Sequence, residues 1–207
     1  PAQPFPWVLR GEAPPLVKAM RAYVGSPVTR ALLCFVALTA CRTGEARFAV
    51  WSEIDLGAGI WSVPAKRMKA ARDHVVPLAP RVIEMLEALK ALGRDSPYVF
   101  PHPYREDRPA SENALLYVLA EIGYKDRMTG HGFRHLFSTL ANEDPQWRAD
   151  AIEASLAHTP KEAMRATYNH ARYREERRRL MNWWTDAVQP MASGTSPTVV
   201  ASTQAVA

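Results

Sequence analysis

Two histidines, an arginine and a tyrosine in the second half of the chain have the types and spacing that phosphoryl transfer requires. His131 and Arg134 are three residues apart, so on a helix they share one face. Arginine binds a phosphate through a planar pair of N–H donors and histidine through one hydrogen bond, so both can hold the same phosphate. Tyr168 follows, with His158 between, and a tyrosine oxygen can attack such a phosphate. The pattern therefore favours DNA strand transfer over simple DNA binding.

Basic residues in the first half of the chain add to this set. Arg42 follows an apolar run, where an arginine is rarely buried without an anion, and Glu45 is spaced to hold its guanidinium. Lys69 lies in a basic loop, 66–72, from which its ammonium can donate a proton or neutralise charge. Taken singly, these residues also fit a structural Arg–Glu ion pair and a solvated loop, respectively.

The later candidates have structural explanations too when each is considered alone. His131 fits a helix cap with Arg134 at the surface, His135 is expected to point away from Arg134, and His158 fits a cap at a helix end. Tyr168 fits a half-buried core tyrosine, because a free phenol has a pKa near 10 and is a poor nucleophile at neutral pH. Clustered cations would favour the phenolate and the transition state. The catalytic hypothesis therefore depends on the conjunction of all these residues.

The elements that must hold these residues are predicted to be mostly helical. Ser26 and Pro27 are typical of a helix start, and the run 31–38 is apolar nearly all round, which indicates a buried helix. Thr43 is predicted to cap a short helix that contains Glu45. Further helices are predicted over residues 15–24, 80–92, 111–122, 131–142, 148–157, 161–169 and 173–188.

Between residues 51 and 78 the pattern changes to short apolar segments separated by turn residues, which is typical of strands. The predicted strands form a small three-stranded antiparallel sheet, with a turn at 56–59 and the basic loop before the last strand; they cover residues 51–55, 60–63 and 74–78. Residues 93–108 are predicted to be a loop. The fold class is therefore α+β, mostly α-helical, with one small sheet.

The 207 residues, 47% of them apolar, suffice for one globular domain with flanking segments. The net charge of +5 favours polyanionic partners only weakly. The two cysteines, Cys34 and Cys41, suit a reduced, cytoplasmic protein. No apolar run approaches the roughly 18 residues of a membrane span, and no signal peptide is expected.

The two ends of the chain differ from its middle. Residues 1–14 are proline-rich and are predicted to be the remnant of a linker, because the chain starts at Pro1 and is expected to be part of something longer. Residues 15–188 are predicted to form the catalytic domain. Residues 189–207 carry no charged side chain and are predicted to be a flexible tail.

In order, spacing and residue type, the candidate segments resemble the sequence boxes of the tyrosine recombinases, the phage integrase family. Roughly residues 30–188 take part in this resemblance, and 165–184 is similar to integrases of prophages and genomic islands. The matching segments are 39–45 for the first arginine box, 68–78 for the hairpin lysine, 131–135 for the second box, 156–158 for the next histidine, and Tyr168 for the nucleophile.

The resemblance implies a mechanism for each of these residues. Tyr168 would attack a DNA phosphodiester to give a 3′-phosphotyrosyl link and a free 5′-hydroxyl. Arg42 and Arg134 would hold the non-bridging oxygens, and Lys69 would protonate the leaving 5′-oxygen. Proton transfer and further hydrogen bonds to the phosphate would come from His131 and His158. Because the phosphotyrosine keeps the bond energy, the reaction needs no ATP, no metal and no other cofactor.

The resemblance also implies partners and a setting. The expected function is site-specific recombination that integrates or excises a mobile element, with double-stranded attachment-site DNA as partner. A tetramer on DNA is expected, with a monomer when the domain is alone, in the bacterial cytoplasm. Family members usually carry an N-terminal helical domain that closes round DNA, and this chain is expected to be the catalytic domain without it.

Several alternatives stay open from the sequence. Tyr173 competes with Tyr168 as nucleophile, although the spacing from His158 favours Tyr168. A metal-dependent phosphodiesterase would also use histidines, but the six in this chain lack a tight ligand pattern. A non-catalytic DNA-binding relative of the same fold, and a type IB topoisomerase with the same tyrosine chemistry, are the other two alternatives.

Overall fold

The computed structural model describes residues 6–158 and 173–188. Within these ranges the chain is mostly helical, as the sequence predicted. The α-helices are α1 (Ala13–Ala22), α2 (Pro27–Thr39), α3 (Thr43–Arg47), α4 (Pro80–Lys90), α5 (Ala114–Glu121), α6 (Gly130–Glu143), α7 (Ala149–Ser155) and α8 (Arg174–Val188). Short 3-10 turns cover Arg10–Glu12, Trp51–Glu53 and Ala65–Arg67.

A three-stranded antiparallel sheet lies between α3 and α4, which confirms the predicted sheet. Its strands are β1 (Ile54–Asp55), β2 (Ile60–Val63) and β3 (His74–Pro77), in the order β1-β2-β3. Trp61 pairs with Ile54 on one side and with Val76 on the other. The sheet therefore places the β2–β3 loop, with Lys69, at one end.

The buried helix α2 is the centre of the core. It contacts α1, α3, α4, α5, α6 and α8, and its side chains are buried along most of its length. Phe35 packs against the rings of Trp61 from the sheet and Phe100, with 5.1 Å between ring centroids in each pair. Helices and sheet thus share one core around α2.

Helix α8 joins three parts of the domain. The Trp184 indole N–H donates to the Ala37 carbonyl of α2 at 2.9 Å. Arg177 is buried and donates to the Val75 carbonyl of β3 at 2.6 Å and to the Ser155 hydroxyl of α7 at 3.4 Å. The elements on both sides of residues 159–172 are therefore fixed to the core. The helix predicted over 161–169 lies outside the described residues.

Three sequence predictions were wrong in detail. The segment 51–55 starts as a 3-10 turn, because the Glu53 carboxylate accepts hydrogen bonds from the Val50 backbone N–H and the Trp61 indole and so closes a turn. Thr43 is not the cap of α3; Arg42 occupies that position. The predicted loop 93–108 contains most of a hairpin of β4 (Pro101–His102) and β5 (Arg105–Pro109), which was not predicted because β5 is charged.

None of the helices in the described ranges is long and apolar enough to span a membrane.

Trp184→Phe removes the donor to the Ala37 carbonyl and shrinks a fully buried side chain. We expect the free energy of unfolding to fall by about 2–3 kcal/mol, because a buried carbonyl loses its partner and a cavity forms. Urea denaturation measures this loss. The neighbouring Trp183→Phe is the matched control, since Trp183 is half-buried; an equal loss in both variants would show that α8 is not fixed through this hydrogen bond.

Candidate active site

Arg134 lies at the centre of the predicted site, almost completely buried between the ends of two helices. Its side chain is 4% exposed. Its Nη1 donates to the Ala40 carbonyl after α2, and its Nη2 donates to the Leu156 carbonyl after α7, both at 2.7 Å. The carbonyl end of a helix carries partial negative charge, which favours a cation. One guanidinium therefore terminates two helices and fixes α6 to both.

The backbone at these two helix ends turns sharply to present the carbonyls. Ala40 has φ of 50°, and Ala157, which follows Leu156, also has φ of 50°. Both are in the left-handed region that ends many helices. At α7 the His158 N–H bonds the Glu153 carbonyl at 3.0 Å, which folds His158 back over the helix. The two turns thus set the positions of the Arg134 partners.

His158 contacts Arg134 directly and is oriented by a carboxylate. Its Nε2 is 3.2 Å from Arg134 Nη2, and its Nδ1 is 2.7 Å from Glu153 Oε2. Because a guanidinium only donates, Nε2 must accept, and the ring proton is therefore on Nδ1, which donates to Glu153. Glu153 fixes both the tautomer and the direction of the ring.

Arg42 approaches the same cluster from the start of α3. Its Nη1 is 2.7 Å from Glu45 Oε1, and its backbone N–H donates to Glu45 Oε2 at 3.0 Å. The predicted Arg42–Glu45 pair is therefore present, with Glu45 buried. Burial, together with the nearby charge of Arg42, lowers the pKa of Arg134 to about 10. The Arg134 guanidinium therefore stays charged at neutral pH.

His131 is half-buried on α6 beside these groups. Burial lowers its pKa first, and the charges of Arg134, His135, Arg42 and His158 each lower it further. The imidazole is therefore neutral at pH 7. Since four side chains from three segments act on one ring, the structure brings two arginines and two histidines of the predicted site together.

The His135 ring lies edge-on against the His131 ring, with 5.0 Å between centroids. It therefore belongs to the cluster through His131. This contact was not predicted, although the spacing of four residues on one helix would have indicated it. Glu153 was also missed, because its contact with His158 depends on the left-handed turn at Ala157.

Lys69 lies on the β2–β3 loop, which is fixed to the start of α3 by a neighbouring arginine. Arg67 donates to the Glu45 carbonyl at 3.0 Å and forms an ion pair with Glu53. Lys69 itself is exposed and has no hydrogen-bonding or ion-pair partner among the described residues. The loop therefore joins the Arg42 segment while the ammonium is left in solvent.

The two candidate tyrosines differ in what the structure describes. Tyr168 lies outside the described residues. Tyr173 is buried, and its hydroxyl donates to Asp150 Oδ2 and accepts from Arg148 Nη2, both at 3.3 Å. The Arg148 guanidinium also lies over its ring, with 5.1 Å to the ring centroid. Tyr173 is thus held inside the fold.

In the described ranges no three His, Cys, Asp or Glu side chains are grouped to hold a metal ion.

Comparison with known proteins gives one family. The sequence model of the phage integrase family matches residues 7–175. Prophage integrase IntS of Escherichia coli (strain K12) is 39% identical over 183 residues, which cover 88% of this chain and 47% of that protein. The integrase of Shigella phage Sf6 is 40% identical over the same shares of the two chains. This chain therefore spans about half the length of these relatives.

Solved structures of lower sequence identity share the fold. The integrase from mycobacterium phage Brujita aligns with a TM-score of 0.65 at 17% identity, covering 93% of this chain and 66% of that one. XerA recombinase aligns with a TM-score of 0.59 at 20% identity, covering 77% and 57%. XerH recombinase, solved bound to its difH substrate, aligns with 0.61 at 14%, covering 76% and 48%. The resemblance and the fold inferred from the sequence are confirmed.

Arg134→Lys keeps the positive charge but cannot bond both helix-end carbonyls in the same geometry. We expect a loss of about 3 kcal/mol in the free energy of unfolding, because buried acceptors and a buried charge lose partners. Arg42→Lys is the matched control, since the Arg42 side chain is 26% exposed and a change below about 1 kcal/mol is expected. Thermal and urea unfolding measure both. Equal effects would contradict the role of Arg134 as a double helix cap.

Proposed function

The chain belongs to the phage integrase family, and on that premise we propose that it is the catalytic domain of a site-specific recombinase. It cuts and rejoins double-stranded DNA through a 3′-phosphotyrosyl intermediate, and so integrates or excises a mobile element. The observation that carries this proposal is the cluster of Arg42, His131, Arg134 and His158, assembled from segments far apart in the chain.

The charges of the cluster favour a bound phosphate. Arg42 and Arg134 are close enough for one charge to lower the pKa of the other, so an anion between them relieves a repulsion. The contacts of Arg134 with Ala40, Leu156 and His158 use three of its five N–H donors. The other two have no protein partner in the described ranges and suit the non-bridging oxygens of a DNA phosphate. These donors stabilise the charge that develops in the transition state.

The two histidines act beside the guanidinium groups of Arg42 and Arg134. The His158 Nε2 accepts a hydrogen bond from Arg134 and can take up a proton beside a phosphate bound to that guanidinium. His131 is neutral at pH 7 and can donate one hydrogen bond or relay a proton. Both serve the phosphate and the proton transfers around it.

The proposed reaction exchanges one phosphoester bond for another. The Tyr168 oxygen attacks phosphorus as its proton passes to the neutral imidazole of His131, and the bond from phosphorus to the 5′-oxygen breaks. Lys69 gives a proton to that 5′-oxygen, which leaves as a hydroxyl. The 5′-hydroxyl of a second strand then attacks the phosphotyrosine and reverses each change. The phosphoester is exchanged rather than hydrolysed, so the step consumes no ATP.

Tyr168 is preferred over Tyr173 as the nucleophile. The Tyr173 hydroxyl is buried and bonded to Asp150 and Arg148, so its attack would require the start of α8 to come apart. Tyr168 precedes this fixed point in the chain. We further propose that the whole protein acts in the bacterial cytoplasm as a tetramer on two DNA duplexes.

Tyr168→Phe should abolish covalent attachment to DNA while binding is kept, because only the attacking oxygen is removed. The assay uses a nicked suicide substrate with attachment-site DNA and a denaturing gel. Tyr173→Phe is the matched control and should still form the covalent band. A band that persists in Tyr168→Phe and disappears in Tyr173→Phe would overturn the assignment, and a chain that binds DNA but never forms the band would be a non-catalytic relative.

Lys69→Ala should slow cleavage of ordinary DNA by at least about 100-fold, as expected for the loss of a general acid. On DNA whose scissile 5′-oxygen is replaced by sulfur, the variant should match the unaltered chain, because a thiolate leaves without a proton. Lys66→Ala, an exposed lysine of the same loop, should be normal on both substrates. A Lys69→Ala defect of equal size on both substrates would contradict the general-acid role.

A further inference from the structure

The segment before α1 lies along the helix that carries His131 and Arg134. The Pro6 carbonyl accepts a hydrogen bond from the Thr129 hydroxyl at 3.3 Å, next to the start of α6. Arg10 forms an ion pair with Glu143 at the other end of α6, at 3.0 Å. Val8, between these two points, is buried in the core. We call residues 6–12 the N-terminal arm; it follows α6 over the whole length of the helix.

The arm approaches α6 so closely that a side chain is excluded beside His131. A Cβ atom on Gly132 would lie 2.7 Å from the Pro6 carbonyl oxygen and 3.1 Å from the Trp7 Cβ. Real Cβ atoms do not approach backbone oxygens so closely. The glycine between His131 and Phe133 therefore makes room for the arm, which explains its place in the motif by local packing.

Three rings connect the arm to the site. Trp7 stacks on His135, with ring centroids 6.0 Å apart and planes inclined by 24°. His135 in turn lies edge-on against His131 at 5.0 Å. The His135 ring is therefore held between Trp7 on the arm and His131 in the site. Stacked aromatic contacts of this kind restrict the rotamers of the rings that they join.

We propose that Trp7 is a positioning residue for His131, acting through His135, so that the N-terminal arm sets the orientation of a histidine in the site. The role in the reaction rests on the proposed function, whereas the ring contact does not. Because the arm enters the domain from the preceding chain, a displacement of that chain would be transmitted to His131 through two rings.

The electrostatics of His131 provide a signal for this connection. Burial has the largest influence on it, and the charged and titratable groups of the described residues that act on it are Arg134 and His135 from α6, Arg42 before α3, and His158 after α7. Loss of Trp7 frees His135 to move and admits water to His131. The pKa of His131 should therefore rise toward its ordinary value of 6.5.

The first test measures the titration of His131 by NMR in the 207-residue chain, with the resonance assigned from a His131→Gln spectrum. Trp7→Ala should raise the pKa, and Trp7→Phe, which keeps a stacked ring, should restore it. Arg10→Ala loosens the far end of the arm and is the control, with no change expected. In a His135→Ala background, Trp7→Ala should cause no further change in the pKa of His131, because the ring between Trp7 and His131 is already absent. An unchanged His131 titration in Trp7→Ala, or effects that add, would overturn the proposal.

The second test separates this proposal from the proposed function. With the suicide substrate, Trp7→Ala should form the covalent product on the order of 10-fold more slowly, with DNA affinity unchanged, because His131 is misplaced. Trp7→Phe should recover the rate. If the NMR shifts occur but the unaltered chain forms no covalent product, the positioning stands and the proposed function fails. If the product forms at the same rate in Trp7→Ala, the positioning role in the reaction is overturned.

Discussion

The burial of one guanidinium between two helix ends is the interaction on which the site depends. Arg134 is held by the carbonyls of Ala40 and Leu156, which come from opposite halves of the sequence. A cation buried this deeply is costly unless its hydrogen bonds are made, and here the negative ends of two helices make them. The same group thus connects three helices and, in the proposed reaction, carries the charge that binds the phosphate.

Other residues of the site are arranged around this centre by supporting contacts that do not take part in the chemistry. Glu45 holds Arg42, and Glu153 holds His158. The Arg67 contact with the Glu45 carbonyl brings the Lys69 loop to the same region. The Arg42 side chain is therefore fixed by the Glu45 carboxylate, and the loop that carries Lys69 is fixed to the same segment through Arg67, while the Lys69 ammonium stays in solvent.

The N-terminal arm adds a contact from outside the core of the domain. Because Gly132 lacks a side chain, the arm reaches the start of α6, and Trp7 reaches His135. This chain spans about half the length of its relatives. The path of the arm along α6 connects the segment before α1 to the helix that carries His131 and Arg134.

The sequence by itself determined the helical character, the three-stranded sheet and the set of candidate residues. These depend on local signals: apolar periodicity, turn residues, the Arg42–Glu45 spacing, and the short motif that contains His131 and Arg134. The family resemblance followed from the same segments. The hairpin at 101–109 was not predicted, because its second strand is charged and lacks the alternation of apolar and polar residues that is typical of strands.

Only the tertiary structure decided how these residues meet. The contact of Glu153 with His158 depends on a left-handed turn, and the stack of Trp7 on His135 joins residues 128 positions apart in the chain. That Arg134 closes two helices, and that Tyr173 is bound to Asp150, are likewise results of packing between distant elements. Sequence spacing specifies neighbours along one helix or strand, whereas contacts between elements are set by the burial of the shared core, which no local pattern encodes.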